Sequence, residues 1–358
     1  MQYFDEKPKV KKRQPHKRKD KKVLKSASAR TIFEQFLEYK QKQNLRPSTL
    51  NQHIATFKNA ENFHATKTEK PLFLNDMNTD FFNDYVYWMK HEAVKFEGHK
   101  YKPESAQVKG LSDASIEGRI KYIKSFINWC VKKGHIKQNP FDNFEGFKKE
   151  KHTIDILTRN EINSLLKVAK SYSNKSFKHF RDNVLLHLLV DGMLRISEAL
   201  TLSPSNIDHV NRTIIIQAEH AKSRKARIIP LSNKTYRLLT TLLVENEAFE
   251  GEVDDLLFLS LSGRILNKNN ILRDFKKYAL EANINKRFYL HLIRHSVATH
   301  FLESGDVESL RQILGHSDLR TVLMYSHMAD KTIQDKHAKS GFFGSDNMIT
   351  RKRDNKRK

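Results

Sequence analysis

The residues from His291 to His327 read HLIRHSVATHFLESGDVESLRQILGHSDLRTVLMYSH. His291 is followed three positions on by Arg294, and Gly315-His316 closes an amphipathic stretch. Tyr325 lies nine residues beyond His316. Upstream, GMLRISEAL supplies a second arginine, Arg195. Two arginines, two histidines and a tyrosine form a set suited to attack on a phosphodiester. That linkage is anionic and resists nucleophiles. Cleaving it without water requires neutralisation of the phosphate, a side-chain nucleophile in line with the scissile bond, and a proton for the departing oxygen. Arginine suits the first task, because its planar fork donates two hydrogen bonds to phosphate oxygens and stays charged.

Taken singly, each feature has a plainer reading. Glu198 lies one helical turn past Arg195, where it can hold the guanidinium, but such a pair is most often an ordinary ion pair. Lys222, Arg224 and Lys225 sit in the basic run AKSRKARIIPL, and a basic hairpin tip alone is a phosphate contact. Tyr325 stands among Val322, Leu323, Met324 and Met328, the surroundings of a core residue. A phenol with a pKa near ~10 is a poor nucleophile unless cations and hydrogen-bond donors favour the phenolate. His291 and His295 have the i, i+4 spacing of a zinc helix. Leu292, however, stands where a metalloprotease needs glutamate, and no Cys pair or acid set completes a shell. No metal and no other cofactor is expected. His295 and His300 read as structural or DNA-facing.

Positioning such a set takes elements on several parts of the chain. Ile32, Phe33, Phe36 and Leu37 form one apolar helical face; Leu50, Ile54 and Phe57, behind a Pro47-Ser48 start, form another; Phe81, Phe82, Tyr85, Trp88 and Met89 form a third. The clearest stripe is Ile116, Ile120, Ile123, Ile127 and Cys130, ended by Gly134, with Lys121, Lys124, Lys132 and Lys133 off it. Lys121 and Lys124 are candidate DNA contacts, and Cys130 reads as a buried thiol. Asn139 to Thr158 carries turn residues and charges without a helical period and reads as an interdomain connection. Thr158 and Glu161 then make a capping box. A nearly all-apolar helix is expected around Val184–Val190. TIIIQA from Thr213 and ARIIPL from Ala226 make a hairpin, and Val307, Leu310, Ile313 and Leu314 mark a last amphipathic helix before Gly315.

The chain has 358 residues, 65 Lys/Arg against 41 Asp/Glu, a net charge of +24 and a pI near 9.8. Residues 1–26 hold eleven Lys/Arg and three acids, and residues 341–358 hold six and two. Half of the net charge therefore lies on the body between them, which itself should bind a polyanion, nucleic acid being the commonest. The N-terminal stretch lacks apolar periodicity and is expected to be disordered when free, contacting backbone phosphates if it contacts DNA at all. One cysteine excludes an intrachain disulfide and fits a reducing compartment. The N-terminus has no signal-peptide pattern, and the longest apolar run, from Val184, is too short for a bilayer. A soluble protein of the bacterial cytoplasm, associated with the nucleoid and with no membrane partner, is expected.

Read in order, these boxes resemble the tyrosine recombinase (phage integrase) family over most of the chain. GMLRISEAL resembles the family's G-L-R-I-S-E box, with Met193 where glycine is usual. AKSRKARIIPL resembles its G-K-x-x-K-x-R-x-x-P-L hairpin, with Ala221 replacing glycine. HLIRH resembles H-x-L-R-H, and the LGHS…YSH segment resembles the nucleophile segment. The resemblance implies that Arg195 and Arg294 clamp the scissile phosphate and that His291 and His316 hydrogen-bond it or assist proton transfer. It makes Lys222 the acid that protonates the leaving 5′ oxygen, and Tyr325 the nucleophile that forms a 3′-phosphotyrosyl bond without ATP. It further implies four protomers exchanging strands of two duplexes, with a DNA-bending accessory protein as an admissible partner, in the integration or excision of a mobile element.

The implied fold is mainly α with a small antiparallel sheet, arranged as a two-domain DNA clamp. The expected bounds are a basic tail (1–27), a SAM-like helical core-binding domain (28–147), a linker (148–158), a catalytic domain (159–340) and a basic tail (341–358). Two alternatives share parts of this reading. A type IB topoisomerase would reseal the same strand as a monomer, and a catalytically silent DNA-binding protein would lack the complete residue set.

Overall fold

The computed structural model describes residues 28–96, 103–147, 155–219, 225–304 and 306–315. The chain divides into two compact units, residues 1–152 and 153–358. Lys222, Arg224, His316 and Tyr325 lie outside the described residues.

The first unit is helical: α1 (Ala29–Lys42), α2 (Pro47–Ala65), α3 (Thr79–His91) and α4 (Asp113–Lys133). Side-chain oxygens of Ser28 and Asn78 accept from backbone N–H groups at the starts of α1 and α3, satisfying donors that a helix leaves unpaired. Gly134 ends α4 with φ 76°, as the expected C-terminal glycine should. Its core is aromatic. Phe33 stacks on Phe57 with centroids 4.0 Å apart, and Phe126 meets both edge-on. Cys130 is fully buried there, and burial pushes its thiol up to about 12.

Two expectations need correction. On α2 the packed residues are His53, Thr56, Phe57, Ala60 and Phe63, whereas Ile54 is 45% exposed. His53 fills an aromatic slot, edge-on to Phe36 and Tyr122 at 5.1 and 4.8 Å. Burial, aided by Lys40, lowers its pKa to about 4, so it packs there as a neutral ring. The interdomain stretch is also shorter than its composition suggests. Phe141 is buried and stacks on Phe82 at 4.4 Å in the first unit. Leu157 is buried in the second, where its N–H donates to Ser296 Oγ at 2.8 Å.

The second unit contains α5 (Arg159–Tyr172), α6 (Phe177–Asp191), α7 (Ile196–Ala199), β1 (Ile207–Asp208), β2 (Thr213–Ile216), β3 (Arg227–Pro230), α8 (Asn233–Asn246), α9 (Lys268–Glu281), α10 (Leu290–Ser304) and α11 (Val307–Leu314). Thr158 and Glu161 form the expected capping box on α5. The apolar α6 is the centre of the core, packed by α5, α8 and α10. The expected hairpin is β2–β3, antiparallel, with Ile214 opposite Ile229 and Ile216 opposite Arg227. β1 adds a short third strand in the order β1-β2-β3. Ile214, Ile216 and Ile229 turn inward, and by the period of two so does Arg227. Among the described residues no helix is long and apolar enough to cross a membrane.

Candidate active site

Arg195 is the N-cap of α7, reached by a turn from α6 through Gly192 and Met193. Met193 takes φ 49°, a left-handed conformation costing roughly 1–2 kcal/mol for a residue with a Cβ. The position is held by packing, since the Met193 side chain is buried against Ala298, Leu302, Leu310 and Leu314. Its carbonyl accepts from Arg294 Nη1 at 2.5 Å. The unusual backbone that the glycine of the G-L-R box would permit is thus present with methionine in place.

Glu198 is the hub of the site. Its carboxylate accepts from the Arg195 backbone N–H at 3.0 Å and from Arg195 Nη1 at 2.8 Å. It also receives both Nη groups of Arg227, at 3.2 and 2.6 Å, and Arg294 Nη1 lies 3.9 Å away. Burial alone would raise its pKa. The Arg227 and Arg195 hydrogen bonds and the Arg227 charge outweigh that and hold it at about 2. One buried anion therefore gathers three guanidinium groups, and the cluster keeps a surplus of positive charge.

The α11 C-terminus completes the arrangement. Arg294, on α10 and 4% exposed, donates from Nη2 to Leu314 O at 2.8 Å. Arg227 donates from Nε to Ile313 O at 2.9 Å. Both carbonyls belong to the last turn of a helix, where acceptors lack intrahelical partners and the dipole favours cations. Arg195 differs from the other two. Its side chain is partly exposed, and among the described residues its Nε and Nη2 donate to no group, leaving an edge of the fork for an anion.

His291 is exposed in the first turn of α10, and His295 is half-buried one turn on, with ring centroids 6.3 Å apart. Burial, then His291 and Arg294, lowers the His295 pKa. Among the described residues no three His, Cys, Asp or Glu are placed to share a metal ion. Four of the expected residues, Arg195, Glu198, His291 and Arg294, therefore lie on α7 and α10, the first, second and last of them in one ionic cluster. Lys225 is exposed just before β3. Arg227 joins the cluster unexpectedly; its only sequence signals are its place in AKSRKARIIPL and its inward parity with Ile229.

In the first unit, Lys121 and Lys124 are exposed on α4. With Lys40, Lys132, Tyr39 and Trp129 they line an open groove of about 630 Å³. Cations interleaved with ring surfaces suit a sugar–phosphate backbone.

The family pattern described as the phage integrase family matches residues 155–332, and that of the phage integrase SAM-like domain matches residues 29–153. The tyrosine recombinase XerD of Staphylococcus haemolyticus is 33% identical over 231 residues, 64% of this chain and 76% of the relative. The chain belongs to the phage integrase family, the tyrosine recombinases. The tyrosine recombinase XerC of Yersinia pestis is 28% identical over 68% of this chain and 77% of its own. Membership carries the activity class, site-specific DNA recombination. The tyrosine recombinase fold is shared with the Tn1549 transposon integrase in complex with circular-intermediate DNA, at a TM-score of 0.65, 17% identity, and 82% and 93% coverage of the two chains. It is shared too with the XerH site-specific recombinase bound to a palindromic difH substrate, at a TM-score of 0.64, 18% identity, and 86% and 83% coverage.

Proposed function

We propose that this recombinase cleaves and rejoins DNA strands through a covalent bond between Tyr325 and a 3′ phosphate, with Arg195 and Arg294 on the scissile phosphate. The observation that carries the reading is the clustering of both arginines about the buried Glu198, beside the C-terminus of α11, after which His316 and Tyr325 follow in the sequence. In this mechanism the Tyr325 oxygen attacks phosphorus and the 5′ oxygen departs, taking a proton from Lys222. His291 and His316 hydrogen-bond the phosphate oxygens or assist proton transfer, which includes taking up the proton that the Tyr325 hydroxyl gives up as it attacks. The phosphodiester energy is kept in the phosphotyrosyl bond, so a 5′ hydroxyl of a partner strand can attack it and release the tyrosine.

The reading extends to four protomers on two duplexes and to the integration or excision of a mobile element in a bacterial cytoplasm. In it residues 159–340 carry the chemistry, and Lys121, Lys124, Arg224 and Lys225 contact DNA. The lysine-lined groove on α4 supports the assignment of the first two. The test is to mix the protein with DNA flanking its gene, trap detergent-resistant adducts and sequence the attached strand. Tyr325→Phe should bind DNA and form no adduct. An adduct with the Phe variant would remove Tyr325 as nucleophile.

A further inference from the structure

The mechanism above gives Arg227 no part. Its fork is nevertheless committed at every nitrogen: Nη1 and Nη2 to Glu198, at 3.2 and 2.6 Å, and Nε to Ile313 O, at 2.9 Å. It is buried, with only 6% of its side chain exposed. Gly315 lies directly against it. A Cβ at Gly315 would fall 2.8 Å from Arg227 Cδ, and Gly315 has φ 63° besides. Arg227 therefore joins three pieces of chain. One is the strand that follows the Lys222 hairpin, the second is the carboxylate that holds Arg195, and the third is the helix end from which the chain continues into His316.

We propose that Arg227 is a positioning residue for strand cleavage, fixing Arg195, the hairpin strand and the start of the His316 segment relative to one another without touching the scissile phosphate. The inference rests on the cleavage mechanism proposed above and adds a residue to it. Lysine would not substitute. An ammonium neutralises Glu198, but it cannot span two carboxylate oxygens and a helix-end carbonyl in one plane. Burial and full internal use of the fork set Arg227 apart from Arg195, whose Nε and Nη2 donate to no group among the described residues.

The experiment uses the full chain and a nicked duplex carrying the strand sequence recovered from wild-type adducts. Single-turnover adduct formation and Kd are measured for Arg227→Lys on an ordinary phosphate and on a neutral methylphosphonate at the scissile position. Misplacement of reacting groups by about an ångström costs about 100-fold in rate, so cleavage should slow by about that factor with Kd unchanged. The defect should shrink less on methylphosphonate than that of Arg195→Ala, because the neutral group needs less charge compensation from Arg195, whereas Arg227 also holds the hairpin strand and the helix end. Wild-type cleavage by Arg227→Lys, a parallel loss of binding, or relief on methylphosphonate as complete as that of Arg195→Ala would each overturn the proposal. If Arg227→Lys shows no cooperative melting, Gly315→Ala decides, since it disturbs the same contact from the other side: slow cleavage with intact binding supports the proposal, and a wild-type rate overturns it. Failure of the wild-type protein to form an adduct would instead count against the cleavage mechanism.

Discussion

Glu198→Gln should destabilise the second unit while leaving its shape almost unchanged. Glutamine keeps one oxygen acceptor, but it leaves Arg227 and Arg294 buried without their counter-charge. Removing one partner of a buried ion pair costs about 3–5 kcal/mol. A carboxyl held at about 2 rather than 4.5 gives an independent figure of about 3 kcal/mol for the preference of the folded state for the ionised form. For a unit of this size that is a drop in Tm of about 6–12 °C.

Both tryptophans, Trp88 and Trp129, lie in the first unit. Tryptophan fluorescence therefore follows that unit, while far-UV circular dichroism follows both. The variant should lower a dichroism transition and spare the fluorescence transition. The sign of the pH dependence is fixed by the depressed folded-state pKa. The advantage of glutamate is complete above the unfolded value near 4.5 and fades as pH falls towards 2, so the gap between the two proteins should be less than half as large at pH 3. A loss below about 1 kcal/mol at neutral pH would refute the account of Glu198 as the anion that compensates the arginines. A gap undiminished at pH 3 would refute it equally.

Lys222→Ala should slow cleavage of an ordinary strand, and a bridging 5′-phosphorothiolate should restore it, because a thiolate leaves without a proton. An equal defect on both substrates would make Lys222 a binding residue or Lys225 the acid. Met193→Gly relieves a left-handed φ worth roughly 1–2 kcal/mol but removes a buried side chain worth about 2–5 kcal/mol. Thermal denaturation should therefore show the variant less stable, and a raised Tm would show that strain outweighs packing at this turn.

Where the sequence was informative, periodicity and spacing carried the information. The α4 stripe, the apolar α6, the β2–β3 hairpin, the Thr158–Glu161 cap and the Arg195–Glu198 contact are all local patterns, and each stands in the structure. The hidden features depend on partners distant in the chain. Arg227 resembles its basic neighbours in composition, and only the approach of β3 to α7 gives it Glu198, 29 positions away. His53 is polar on any hydropathy scale, yet two rings on other helices make its site apolar. Phe141 and Leu157 are single apolar residues within charged stretches, without a repeat to mark them as core. β1 spans two residues, too few for alternation to register.

The covered thiol of Cys130 has a practical consequence. It is the single cysteine of the chain, shut inside the aromatic core with burial holding it protonated at neutral pH. Maleimide reagents need an accessible thiolate, so the unaltered protein should take up almost no label. A cysteine introduced at exposed positions such as Lys58 on α2 and Lys276 on α9 would then be modified alone, with no native thiol to remove first. One dye on each unit would turn the distance between them into an energy-transfer signal that can be read as DNA is added.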